Sequence, residues 1–172
     1  MQLREKDLSG KELYALAEKT RALCQRYDAL LFVNDRVDIA LAVGADGVQL
    51  GTASIPIENA RELLGPRKII GASTHSLHEA SEAARSGADF IVFGPVYFTP
   101  SKASYGSPQG LEALKKIVEK ISLPVYAIGG IKPENTEAVR RTGVRGVALI
   151  SAVMAATNPK EAAQNILSHL RR

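Results

Sequence analysis

The sequence predicts an α/β fold of the TIM (β/α)8 barrel type, and three observations predict it. Short apolar runs alternate with amphipathic helical stretches along all 172 residues. A unit recurs as Gly44-Ala-Asp-Gly-Val48, Gly87-Ala-Asp-Phe-Ile91 and Gly143-Val-Arg-Gly-Val147, each time stopping a helix with glycine and starting a strand a few residues later. Polar residues gather just after the strand ends, at Arg4 and Lys6, Asn34 and Asp35, Ser73 and His75, Thr99 to Lys102, Gly129-Gly130 and Ser151. In a barrel those positions share one rim, where such enzymes keep their chemistry, whereas an open sheet would spread them along an edge. No Gly-rich dinucleotide loop follows the first strand, which also argues against the open doubly wound alternative.

The expected strands are Gln2–Arg4, Ala29–Val33, Gly47–Leu50, Lys68–Ala72, Phe90–Gly94, Val125–Ile128 and Gly146–Ile150. Several are continuous apolar runs, as parallel strands buried on both faces require. The first helix opens on the capping box Ser9-Gly-Lys-Glu12 and carries Leu13, Leu16, Ala17, Thr20, Leu23, Cys24 and Tyr27 on one face. Ser76-Leu-His-Glu79 is a second capping box, and Ser107-Pro108 and Asn158-Pro159 each set a cap before a first-turn proline. An eight-unit barrel usually takes ~250 residues, with ~200 near the lower end. Seven strands are on offer, the first at the very N-terminus. The barrel is one βα unit short, or the chain is shorter than the gene product.

Composition narrows the function classes. The chain fits one domain, residues 1–172, with 45% hydrophobic and 23% charged residues, close to the globular average. One cysteine excludes an internal disulfide framework and suits a reducing, cytoplasmic setting. Met1–Lys6 lacks the apolar core of a signal peptide, and no apolar run nears the ~18 residues of a membrane span. A net charge of +4 with only 5% aromatics gives no stacking platform, so no nucleic-acid partner is expected.

The rim residues suggest anion chemistry. Gly129-Gly130 and Ile150-Ser151 follow the last two strands, where barrels often bind phosphate. The loop Gly94-Pro-Val-Tyr-Phe-Thr-Pro-Ser-Lys102 brings hydroxyls and an ammonium for oxyanion capture, although an exposed polar loop reads the same way. Arg4 and Lys6, two apart on a strand end, could hold a diphosphate or be ordinary surface charge. Asp35 beside Asn34 suits Mg²⁺ bridging a diphosphate, or simply caps the next helix. His75 is a rim acid or base without a carboxylate partner visible in sequence, and Cys24 reads as core.

Together these motifs resemble the thiamine phosphate synthase family and the related thiazole tautomerases. The resemblance is carried by Gln2-Leu-Arg-Glu-Lys6, Val33-Asn-Asp35, Ala45-Asp-Gly-Val-Gln-Leu-Gly51, Gly71-Ala-Ser-Thr-His75, Gly94 to Lys102, Ala127-Ile-Gly-Gly-Ile131 and Val147-Ala-Leu-Ile-Ser151. It implies an enzyme that joins 4-amino-2-methyl-5-(diphosphooxymethyl)pyrimidine to thiazole phosphate, giving thiamine phosphate and pyrophosphate. Gln2, Arg4, Lys6, Asn34, Ser73 and Lys102 match positions that hold the pyrimidine diphosphate. Asp35 matches a Mg²⁺ ligand, and Thr99, Ser101, Gly130, Ile150 and Ser151 match the thiazole phosphate site.

Three departures stand out. Where synthases carry Gly-Gln-Glu-Asp, with the Asp a second Mg²⁺ ligand, this chain has Gly51-Thr-Ala-Ser54. A hydroxyl is a poorer Mg²⁺ ligand, and Ser54 also suits an N-cap ahead of Pro56. The family's first strand and helix are absent, which implies an unpaired barrel edge that a homodimer would cover. Phe98 replaces a common proline. The alternatives to a synthase are a thiazole tautomerase, with His75 as its proton shuttle, and a non-catalytic phosphate-binding paralogue.

Overall fold

Continuous apolar strands separated by capped helices do form along the chain, and a computed structural model describes residues 1–100 and 107–170. The strands are β1 (Gln2–Leu3), β2 (Phe32–Asn34), β3 (Gly47–Leu50), β4 (Ile69–Thr74), β5 (Phe90–Phe93), β6 (Val125–Ile128) and β7 (Gly146–Ala148). The helices are α1 (Gly10–Arg26), α2 (Val37–Ala42), α3 (Ile57–Leu64), α4 (Leu77–Arg85), α5 (Gly110–Lys120), α6 (Pro133–Arg140), α7 (Ser151–Met154) and α8 (Pro159–Leu170). Among the described residues no helix is long and apolar enough to cross a membrane.

The chain divides into two compact units, the first Met1–Ser73 with Arg85–Asp89, the second Thr74–Ala84 with the chain from Phe90 onward. In the first unit β1, β2, β3 and β4 pair side by side in chain order, all parallel. All four residues of β3 are buried, as a strand covered on both faces demands. Leu13, Ala17 and Cys24 of α1 join Leu31, Val33, Val48 and Ile70 in one apolar core. The buried, free Cys24 is a core residue, as its place on the apolar stripe predicts.

The recurring Gly-Ala-Asp unit does more than stop helices. Gly44 and Gly87 do take positive φ, 65° and 94°. Each following Asp then reaches back to the preceding strand. Asp46 Oδ2 accepts from Leu31 N at 2.7 Å and Arg21 Nη1 at 2.6 Å, while Asp46 N donates to Leu31 O at 2.9 Å. Asp89 repeats the pattern with Ile70 N at 2.7 Å, Arg61 Nη2 at 2.6 Å and Ile70 O at 2.8 Å. The third copy has Arg145 instead, whose N–H donates to Val125 O at 2.8 Å.

In the second unit β5, β6 and β7 pair parallel in chain order. Phe93, Leu114, Ile117, Val139 and Ile166 are among its buried side chains. Phe90 meets Tyr126 edge to face at 5.5 Å.

Helix starts test the cap assignments one by one. Ser9 and Glu12 form the expected box, with Glu12 N to Ser9 Oγ 3.3 Å and Ser9 N to Glu12 Oε2 2.9 Å. Ser76 Oγ takes Glu79 N at 3.1 Å, but Glu79 reaches back to His75 N, at 2.8 Å, rather than to Ser76. Asn158 caps α8 through Glu161 N at 3.2 Å. Ser107 is not a cap: α5 starts at Gly110 with Gln109 before it and no side-chain bond. The loop continues because Gln109 N and Gly110 N are already held by Pro95 O and Val96 O.

Candidate functional site

Parallel pairing with period-two alternation sets the polar residues of the first unit onto one face. Gln2 pairs with Phe32, so Asn34, two residues on, faces the same way. Gln2 Nε2 donates to Asn34 Oδ1 at 2.9 Å. Asn34 lies opposite Gln49, and Gln49 lies opposite Gly71. Gln49 Nε2 donates to Ser73 Oγ at 2.9 Å, across the same two-residue diagonal. Gln2, Asn34 and Ser73 are thus brought onto one polar stripe, with Gln49 between them.

Asp35 is not the helix cap that the plainer reading offers. It sits at φ 60°, a left-handed conformation that Asp tolerates better than most residues, with its N–H on Gln49 O at 3.1 Å. The residue before α2 is Arg36, which makes no side-chain cap bond. Asp35 Oδ2 accepts from Asn34 Nδ2 at 2.6 Å, and Oδ1 accepts from the Ser54 hydroxyl.

Ser54 is not a cap either. Pro56 precedes α3 without a side-chain bond. Instead Ser54 Oγ accepts from Gly51 N at 2.7 Å and is aimed at Asp35. The 51–54 turn, closed by Ser54 N on Gly51 O at 3.1 Å and by Gly51 N on Ser54 Oγ, delivers Ser54 to the carboxylate.

These donors test the fit to a divalent cation. Among the described residues no group of three or more His, Cys, Asp or Glu could hold a metal by itself. Asp35 with Ser54 offers one carboxylate and one hydroxyl oxygen, while Asn34 turns its amide nitrogen to Asp35 and its carbonyl to Gln2. Mg²⁺ characteristically takes one or two carboxylates and completes its shell with phosphate oxygens and water. The set fits a Mg²⁺ that arrives with a diphosphate, and Asp35 is the residue that could hold it.

Arg4 and Lys6 are both exposed. The strand argument for their sharing a face does not hold, because β1 ends at Leu3 and Lys6 lies in a bend.

In the second unit the 95–98 loop lies against the end of β6. Val96 N donates to Ile128 O at 2.9 Å and Tyr97 N to Gly129 O at 3.0 Å. Gly94-Pro95 is a cis peptide. Burial pushes the Tyr97 phenol pKa up, so it stays a neutral hydroxyl. Gly130 has φ 64°, and a Cβ there would stand 2.6 Å from Tyr97 Cβ and 2.8 Å from Phe98 O. Glycine is required by close approach as well as by the turn.

Asn135 carries no signal in the sequence. Its Oδ1 accepts from Lys132 N at 2.8 Å and its Nδ2 donates to Gly130 O at 2.9 Å, so one amide ties both sides of the glycine loop. A lone Asn near a helix start belongs to no motif, so only the fold exposes this role.

Thr99 is half-buried, and Ile150 and Ser151 are exposed at the start of α7. Ser101 and Lys102 lie outside the described residues. The His75 ring donates from Nδ1 to the Gly94 carbonyl. His78 is exposed and pairs with Glu82 at 3.3 Å.

Residues 1–153 match the family described as thiamine monophosphate synthase. A thiamine-phosphate synthase of Pyrococcus abyssi is 51% identical over 166 residues, covering 96% of this chain and 79% of that protein. One of Archaeoglobus fulgidus is 45% identical over 172 residues, covering 100% of this chain and 80% of that protein. The solved structure of a thiamine phosphate pyrophosphorylase from Pyrococcus furiosus superposes with a TM-score of 0.91 at 48% identity, covering 99% of this chain and 81% of that one. That likeness bears out the expected α/β, TIM-barrel-like fold.

Proposed function

The chain belongs to the thiamine monophosphate synthase family, and from that premise we propose that it is a thiamine-phosphate synthase. It is a transferase that joins 4-amino-2-methyl-5-(diphosphooxymethyl)pyrimidine to thiazole phosphate and releases pyrophosphate. The observation that carries this reading is the polar stripe of the first unit, where Gln2, Asn34, Asp35 and Ser73 come from three separate strand ends. Strand register brings Gln2, Asn34 and Ser73 onto one face, and the reading is supported by the side chains so placed being hydrogen-bonding ones, as a diphosphate needs.

The chemistry asks for little beyond charge and positioning. The C–O bond to the diphosphate breaks, its electron pair leaves on the pyrophosphate, and the thiazole nitrogen supplies the pair that forms the new C–N bond. No protein nucleophile is needed. Arg4, Lys6 and Lys102 supply positive charge for the departing diphosphate, and Gln2, Asn34 and Ser73 supply hydrogen bonds that fix its place. Mg²⁺, held at Asp35, would neutralise further diphosphate charge when bound.

Thr99, Ser101, Gly130, Ile150 and Ser151 would take the thiazole phosphate. Support comes from their places in the chain just after β5, β6 and β7, where barrels often bind phosphate, with the Gly130 turn packed against Tyr97 and its carbonyl held by Asn135. The buried Cys24 thiol suits a cytoplasmic setting.

The test is a coupling assay on folded protein with both substrates, followed by thiamine phosphate formation with Mg²⁺ and with EDTA. Product that depends on Mg²⁺ is expected. No product from folded protein would refute the synthase and leave the tautomerase or a silent binding paralogue.

A further inference from the structure

Gln49 is a primary amide only 3% exposed, in a strand whose other residues, Gly47, Val48 and Leu50, are all buried. A buried amide is costly unless it is bonded, so the partner it finds carries meaning. That partner is Ser73 Oγ, 2.9 Å from Gln49 Nε2. Gln49 is paired with Gly71, and alternation along β4 places Ser73 on the same face one step beyond. Gly71 has no side chain to interrupt the diagonal, so the amide reaches past it to the hydroxyl.

The direction of this bond matters. A serine hydroxyl has one proton and two lone pairs, and the Gln49 N–H occupies one of those lone pairs. The serine proton is then left for another acceptor. We infer that Gln49 is a positioning residue that holds Ser73 as a hydrogen-bond donor toward the oxygens of a diphosphate. It touches no substrate itself. The assignment, which rests on the synthase reading, makes the amide the reason why Ser73 presents its proton instead of a lone pair to an anion.

Three variants and one double variant test it in steady state, with the pyrimidine diphosphate varied against saturating thiazole phosphate and Mg²⁺. Gln49→Met keeps the length and removes the donor. It should lower kcat roughly 10- to 100-fold, the size usual for losing a group that orients a ligand-contacting side chain. The KM for the pyrimidine diphosphate should move less than about threefold, since the Ser73 hydrogen bond to the diphosphate is strongest in the transition state. Gln49→Glu turns the donor into an acceptor that claims the serine proton, and should cost at least as much. Adding Gln49→Met to Ser73→Ala should change kcat by less than about twofold, because the amide acts only through the hydroxyl.

Wild-type kcat in Gln49→Met, or a Gln49→Met factor that multiplies onto Ser73→Ala, overturns the inference. Thermal unfolding checks each variant. If Gln49→Met does not fold, full activity in Gln49→Glu overturns it equally. Titration of inorganic pyrophosphate with Mg²⁺ separates this inference from the synthase reading. A wild type without product refutes the synthase, yet a roughly 10-fold weaker pyrophosphate affinity in Gln49→Met would still uphold the donor role, because free pyrophosphate carries the charge that the diphosphate ester gains only as its C–O bond breaks. Equal affinity, or no pyrophosphate binding by wild type, overturns it.

Discussion

Removing the Asp46 carboxylate should be among the most damaging single changes outside the apolar core. Asp46→Ala strips two bonds made by one oxygen, to Leu31 N at 2.7 Å and to Arg21 Nη1 at 2.6 Å. Leu31 is fully buried, so its N–H is left without water or partner, a loss of about 1–3 kcal/mol. Arg21, 22% exposed, loses the carboxylate it pairs with, which adds about 1 kcal/mol after screening. The total is about 3 kcal/mol. Asp89→Ala removes the matching pair, but Asp89 is 46% exposed and Arg61 keeps the Gly87 and Gly65 carbonyls at 3.1 and 3.2 Å. Ile70, as buried as Leu31, also loses the partner of its N–H, so only the ion-pair part shrinks and the loss should be about 2 kcal/mol. With an m-value of about 2 kcal/mol/M in urea, the midpoints should fall by about 1.5 M and about 1 M. A urea titration of the three proteins reads both shifts. An Asp46→Ala shift below about 0.3 M, or one smaller than that of Asp89→Ala, would refute the reasoning.

Other perturbations address the site. Ser54→Asp sets a second carboxylate against Asp35, so without divalent cation the protein should lose about 1 kcal/mol, and Mg²⁺ should restore it; melting with and without Mg²⁺ reads the difference. Gly130→Ala forces a side chain into φ 64° and against Tyr97, for about 3 kcal/mol. It should also raise the KM for thiazole phosphate more than that for the pyrimidine diphosphate. Acid sensitivity follows from four carboxyls. Hydrogen bonds from Ser9 hold Glu12 below its ordinary 4.5, Arg36 lowers Asp38, Ser86 lowers Glu58, and Arg140 and then Arg141 lower Glu137. A depressed carboxyl contributes stability that is full above its unfolded pKa and lost as pH falls through the folded one. Melting temperature should therefore drop below about pH 4.5, and Glu12→Gln should flatten that drop.

Much of this was legible in the residues, because periodicity and helix stops are local signals. Gly47–Leu50 and Val125–Ile128 form strands over the expected spans. The second strand slides from Ala29–Val33 to Phe32–Asn34 because Asp28, at φ 50°, and the bond from Ala29 N to Cys24 O finish the helix exit first. Asn34, Asp35 and Ser73 stand at strand ends, where polar residues advertise themselves. Gln49 does not: between Val48 and Leu50 it is one polar letter in an apolar strand, and its meaning lies in the register with Gly71. Ser54 looked like a cap because Ser before Pro usually is one. Only the turn that returns it to Asp35 shows otherwise.

The stripe from Gln2 to Ser73 also bears on selectivity. Apart from the Ser73 proton, its members already bond one another, so an incoming ligand mostly exchanges hydrogen bonds instead of adding them, and the net benefit of each exchanged bond is a small difference. Affinity there must come mainly from charge, which salt screens. Discrimination comes from completeness: a ligand that draws Ser73 from Gln49 without replacing that bond strands a buried amide, and is rejected for what it leaves undone.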